Sequence, residues 1–316
     1  MVRRALVAGV VLLGLLPLKA EAQSPAALSS DCITAGGDTA VCAAAAVASR
    51  ALLGHIGIGA GAGSEVTGTA SNLGRRAGGP PRFAFSLRAG GVRARLPDVS
   101  DASGLGEASL FIPTIQASAT AGLFDGFRLM PTVGGFLSVD AFSQVAFVLL
   151  PSDEGFDDRA TAYSVGLRLG VFRESFTLPG VSVSLARRFV GDVALGSTSD
   201  PARVGLDPSI TSLRATLGKD LFAFEVLAGF GWEDYSGDVT YTVTDGGTGT
   251  VSGGGGIDAS RRLYFVSVAR TFSLIFTFSA EGGIARGFDS VPGYNSPDFD
   301  PTDGTFFGSL SFRLTI

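Results

Sequence analysis

Over residues 161–172 apolar and polar side chains alternate without a break. Tyr163, Val165, Leu167, Leu169 and Val171 fall on one face; Ala162, Ser164, Gly166, Arg168 and Gly170 fall on the other. A period of two belongs to an extended strand, whose successive side chains point to opposite faces. The pattern recurs in 114–123, where Ile115, Ala117, Ala119, Ala121 and Leu123 oppose Thr114, Gln116, Ser118, Thr120 and Gly122. It recurs again in 221–233, where Phe222, Phe224, Val226, Ala228, Phe230 and Trp232 oppose mostly small or acidic residues ending at Glu233. About ten such strands are predicted, near 82–96, 111–124, 135–150, 160–173, 180–190, 209–218, 221–243, 261–270, 272–284 and 305–316, with twelve as the alternative count.

Such a pattern fits a soluble sandwich with its apolar face inside, or a barrel with its apolar face toward lipid. Two features favour the barrel. The strands run to about ten residues or more, enough to cross a bilayer when tilted. Tight links, "ARTF", "LGKDL" and "ESFTLPG", alternate with long polar ones at 191–209, 244–260 and 285–304. Mean hydropathy is positive, +0.36, yet no run of about 18 uncharged apolar residues follows the first 22. The richest stretch, "AVCAAAAVASRALLGHIGIG", is mostly Ala and Gly and carries Arg50. The apolar residues are spread in alternation. The last strand, "FGSLSFRLTI", alternates too, and as an open edge it would invite aggregation. It is expected to pair with the first strand and close the barrel.

Residues 1–22 read as a secretory signal peptide: Arg3 and Arg4 precede an apolar 5–18, and "AEAQS" offers a cleavage site before Gln23. Removing the net +2 of Arg3, Arg4, Lys19 and Glu21 from the formal −5 leaves −7. An acidic exported chain is a poor nucleic-acid binder. Cys32 and Cys42, with nine residues between them, are expected to form a disulfide in an oxidising compartment; a metal pair is the alternative. Residues 23–80 read as a periplasmic segment or an internal plug, and 81–316 as the barrel. Within the former, Asp38 is predicted to cap a helix that Gly54 terminates.

The polar strand face supplies the candidate site. Arg88, Arg93, Arg95, Asp140, Arg168, Arg214, Glu225, Glu281 and Arg313 are read as lumen residues, because an arginine facing lipid near the midplane costs about 2–4 kcal/mol. They either brace a narrow barrel or line a selective path. Asp298, Asp300 and Asp303 are the nearest approach to a metal site, one position off a calcium loop and without its closing Glu; a solvated acidic loop is the plainer reading, as it is for Asp153, Glu154, Asp157 and Asp158. His55 is the single histidine, placed after the expected helix end. No nucleophile–base constellation is legible around it, so no enzymatic activity and no cofactor are expected. "GIGAGAG" at 57–63 lacks the strand, helix and acidic residue of a dinucleotide site and reads as plug packing.

The leader, the strands from about 82 and the closing "SFRLTI" together resemble a bacterial outer-membrane β-barrel protein, although the last residue is Ile316 where such proteins commonly carry an aromatic. The resemblance implies an all-β, transmembrane, antiparallel up-and-down barrel in the bacterial outer membrane. Implied partners are outer-membrane lipid, lipopolysaccharide and the barrel-assembly machinery. "GTASNLGRR" is similar to the early segment of fatty-acid-transporter-type barrels, in which an N-terminal piece plugs the lumen, although this chain is short for that family. The expected function is passive passage of small molecules, hydrophobic ones included. The alternative is a closed structural or surface-interaction barrel that binds partners through long acidic loops.

Overall fold

The computed structural model describes residues 23–75, 80–128, 134–152, 155–156, 159–245, 249–272 and 275–316. The leader and the cluster Asp153, Glu154, Asp157 and Asp158 lie outside them. Among the described residues two helices, α1 (Pro25–Thr34) and α2 (Thr39–Gly61), precede eleven strands. These are β1 (Phe83–Pro97), β2 (Glu107–Phe124), β3 (Ser138–Leu149), β4 (Arg159–Phe172), β5 (Gly180–Val190), β6 (Val193–Leu195), β7 (Ala202–Asp220), β8 (Glu225–Asp245), β9 (Gly249–Phe272), β10 (Phe276–Ala285) and β11 (Thr305–Thr315).

The antiparallel sheet is closed. β1 pairs with β11 from Ala84↔Thr315 to Val92↔Phe307, and β5 pairs with β7 from Gly180↔Gly218 to Phe189↔Ser209. The short β6 continues the line of β5 along β7, so the wall has ten strands. The Phe83 and Ile316 backbones exchange hydrogen bonds of 2.9 and 2.8 Å, which leaves the last strand no free edge. We call this end the base and the opposite end the crown. Alternation sorts the two faces as read from the sequence: Leu87, Phe111, Val266 and Phe306 point outward, 57–65% exposed, while Arg88, Ile112, Ser267 and Thr305 are buried. An apolar exterior suits a hydrocarbon surround, while the interior is apolar around α2 and polar and charged nearer the base.

Three expectations about the strands need correction. The Gly-rich 244–260 is largely strand rather than a long loop: β8 and β9 remain paired out to Asp245↔Gly249. Glycine has no side chain with which to show alternation, so its composition reads as loop while its backbone is free to pair. The upper half of 191–209 likewise becomes β6 and the start of β7. At 24 residues, β9 is about twice what a tilted crossing needs, so β8 and β9, with β7 paired alongside as far as Ala202↔Val243, rise beyond the β10 side of the wall at the crown. Conversely, the strand expected from 221 starts at Glu225, because 221–224 makes the turn, with Phe222 at φ 65° and fully outside.

Gly54 does not end the helix. α2 is capped as expected, Asp38 accepting from the N–H groups of Ala40 (2.8 Å) and Val41 (3.1 Å), but it runs on to Gly61. At 23 residues it is long and apolar enough to cross a membrane, and nearly all of it is buried inside the protein. It packs against β1, β2, β3, β7, β8, β9 and β11, on all sides. The helix therefore lies along the lumen. Its glycines serve close approach: a Cβ on Gly57 would overlap the Tyr235 ring, and one on Gly61 the Arg188 guanidinium. Each interior glycine costs about 1 kcal/mol relative to alanine, which tertiary packing outweighs here.

Candidate functional site

The chain enters the barrel at the crown and leaves it at the base. The Gln23 N–H donates to the Gly256 carbonyl (2.6 Å) on the projecting hairpin, and α1 packs on β9. The Cys32–Cys42 disulfide, with Cα atoms 5.7 Å apart, ties α1 to the first turn of α2, as the spacing predicted. After α2, residues 62–75 continue toward the base, where the Arg82 N–H reaches the Gly74 carbonyl (3.3 Å) ahead of β1.

Residues 62–74 form neither helix nor strand, yet most are buried. Irregular buried backbone must find hydrogen-bond partners outside itself, and the wall charges provide them. Arg88 donates to the carbonyls of Ala62 (2.7 Å) and Ser64 (2.5 Å). Arg214 donates to those of Gly61 and Gly63, Arg313 to Thr67, and Arg168 to Thr69 (2.8 Å). The carboxylates take the N–H groups: Glu281 accepts from Ser64 (3.0 Å), Glu225 from Ala70 (3.2 Å), and Asp140 from Leu73 (2.8 Å) and Gly74 (3.3 Å). Seven of the nine residues expected in the lumen thus face one occupant, the protein's own chain.

The other two are misplaced. Arg93 and Arg95 face outward, since the five-residue step from Arg88 changes face in a strand. Arg95 is engaged near the crown by Glu107 (2.5 Å) and Asp303 (2.5 Å).

The centre of the clamp escaped the sequence reading. Arg188 and Arg214, both fully buried, share two carboxylates: Glu65 from the threaded segment and Glu233 from β8. Arg188 stands 2.7 Å from Glu65 and 3.1 Å from Glu233; Arg214 stands 3.3 Å from Glu65 and also pairs with Glu233. The Tyr235 hydroxyl donates to Glu233 (2.5 Å). With Arg88, Arg168 and Arg313 set against Asp140, Glu225 and Glu281, five arginines meet five carboxylates around the segment, and buried Arg261, opposite Glu233 in the β8–β9 ladder, adds one further cation. Buried charges are tolerable when balanced and hydrogen-bonded, and each of these groups has a hydrogen-bond partner. Signals were present: Arg188 shares the face of Ser182, Ser184 and Ala186, and Glu233 that of Glu225.

His55 lies within α2, buried, rather than beyond a helix end. Its Nε2 is 3.2 Å from Thr305 Oγ1. The cavity beside them, about 30 Å³, has room for a water or two. Asp298, Asp300 and Asp303 are not gathered: no group of three metal-ligating side chains forms among the described residues. Asp303 serves Arg95, while the Thr302 hydroxyl and N–H bond to Asp300 and hold its carboxyl below the usual range.

A closed wall, an apolar girdle and a charged interior filled by the chain's own segment define an outer-membrane-type β-barrel, threaded and plugged. No family model matches the chain, and no curated protein matches it significantly. Similar solved structures are the outer-membrane protease OmpT of Escherichia coli (10% identity, 75% of this chain and 96% of that one, TM-score 0.40) and the transport unit of the autotransporter AIDA-I of Escherichia coli (6%, 85% and 98%, 0.39). A third is a mutant of the TodX monoaromatic hydrocarbon channel (12%, 83% and 97%, 0.34). At these values the likeness carries no functional argument.

Proposed function

We propose that the protein is a bacterial outer-membrane barrel shut by its own residues 23–75, serving as a surface-interaction module rather than a standing pore. Channel and surface roles both suit such a barrel. The observation favouring the second is α2, which fills the lumen with buried side chains from crown toward base. Passive flow of small molecules would need that segment to leave, against the buried ion pairs that hold it.

What remains for function is the crown. It presents the exposed turn at 34–39 beside the disulfide, the β8–β9 hairpin and the loop at 286–304. Asp31, Asp38, Asp298 and Asp300 give this surface an acidic character suited to a basic partner. Epitope insertion tests the orientation. Tags after Ala35 and after Gly293 should bind antibody on intact cells, and a tag after Phe222 at the base only after permeabilisation. The reverse pattern overturns the reading.

A further inference from the structure

Arg261 of β9 is 3% exposed and stands outside the clamp. The carboxylate opposite it in the β8–β9 ladder is Glu233, whose oxygens are already taken: Oε1 by Arg188 and Arg214, Oε2 by the Tyr235 hydroxyl. Among the described residues no carboxylate lies within salt-bridge distance of Arg261. Its Nε donates to the Arg286 carbonyl (2.6 Å) and its Nη2 to Thr305 Oγ1 (2.8 Å), while Nη1 is buried without a hydrogen-bond partner among the described residues. The guanidinium lies over the Phe288 ring, 4.5 Å from its centroid. Arg50 of α2 lies over the same ring at 5.3 Å and donates to the Asp289 backbone carbonyl (2.6 Å), the Asp289 side chain being at the surface. Two cations therefore converge on one ring.

Beside that ring is the cavity of about 30 Å³, where the loop at 286–304 folds over α2. Its inner wall is Arg261, His55 and Thr305, all buried. Toward solvent stand Arg93, Arg95, Asp300 and Asp303. The two acids there are engaged: Asp303 pairs with Arg95, and Asp300 accepts from the Thr302 hydroxyl and N–H. Gly54 keeps the place open, because a Cβ on it would overlap Phe288 and crowd Arg261 Nη1. A buried guanidinium is costly unless paired, and a water offers it a dipole but no charge.

We propose that this cavity binds one monatomic anion, chloride in an ordinary medium, held by Arg261 Nη1 and the Thr305 hydroxyl. Thr305 Oγ1 accepts from Arg261 Nη2 and, at 3.2 Å, from His55 Nε2, which leaves its own proton for the anion. Size selects the ion: room for a water or two admits a halide and excludes sulfate or phosphate. The bound ion joins β9, β11 and α2 beneath the loop, so it stabilises the closure of the lumen at the crown. The site faces inward, and the inference holds whichever end of the barrel lies at the cell surface.

Thermal unfolding of the intact, detergent-solubilised protein tests it, in sodium chloride, bromide or gluconate at one ionic strength and pH. The midpoint should rise saturably with chloride and bromide and stay level with gluconate. Arg261→Gln should remove this dependence. Thr305→Val, which keeps the cation and covers the case of Arg261→Gln failing to fold, should raise the half-saturating chloride concentration about tenfold, the scale of a lost charge-assisted contact. Anomalous scattering from bromide in crystals of the unmodified protein should peak beside Arg261 Nη1. Equal midpoints in chloride and gluconate overturn the proposal. So does a chloride effect unchanged in the variants, which marks binding elsewhere, or a cavity without an anomalous peak.

Discussion

Glu65, in the threaded segment, stands 2.7 Å from Arg188 of the barrel wall, and both side chains are almost completely buried. They are 123 residues apart in sequence, and their pairing ties the segment to the wall at the centre of the lumen. Removing one partner of a buried pair leaves the other uncompensated, at about 3–5 kcal/mol. Arg188 and Arg214 keep Glu233, so Glu65→Gln should loosen residues 62–75 by less than that while the wall stays closed. Hydrogen exchange would show faster exchange at Ser64 and Ala70, with β1 and β11 amides still protected. Replacing Arg188 by Met as well should restore part of the loss.

Gly57→Leu should expel α2 from its seat, because a side chain there overlaps the Tyr235 ring and the wall cannot yield. Arg50, now 8% exposed, would become a trypsin site. Cleavage after Arg50 in this variant, against resistance in the unmodified protein, is the expected outcome.

Cys32→Ser with Cys42→Ser should cost about 2–3 kcal/mol locally, the worth of closing a loop of this length. The consequence belongs to the crown alone. Limited proteolysis should open 25–38 while heat-modifiable migration of the barrel is unchanged.

Neighbours on β11 should behave oppositely. Phe312 is outward, 46% exposed and stacked on Phe276 (ring centroids 5.4 Å apart), so Phe312→Asp puts a carboxylate toward lipid and should block membrane insertion. Arg313 points inward and donates to the Thr67 carbonyl. Arg313→Ser should insert normally and loosen only the threaded segment, read by hydrogen exchange at Thr67 and Gly68.

The wall was legible because a strand declares its faces every second residue, so 305–316 pointed to closure against 82–96. Legibility failed where that signal is missing or where a step was miscounted. The glycine-rich run 249–256 shows no alternation, so a paired hairpin read as loop. Arg93 and Arg95 were assigned to the face of Arg88 across an odd step. The occupant of the lumen was harder for another reason. Arg313 bonds a carbonyl 246 residues away, and a carbonyl has no sequence signature. The charged face could be seen, but what it held could not. The Ala and Gly content of 39–61 was the available hint, since only a slender helix fits a ten-stranded lumen.

Single-channel recording in planar bilayers tests the plugged state most directly. The intact protein should insert without steady conductance, and a form lacking 23–75 should give open, ohmic steps. Steady conductance from the intact protein, equal to that of the form lacking 23–75, would contradict the account.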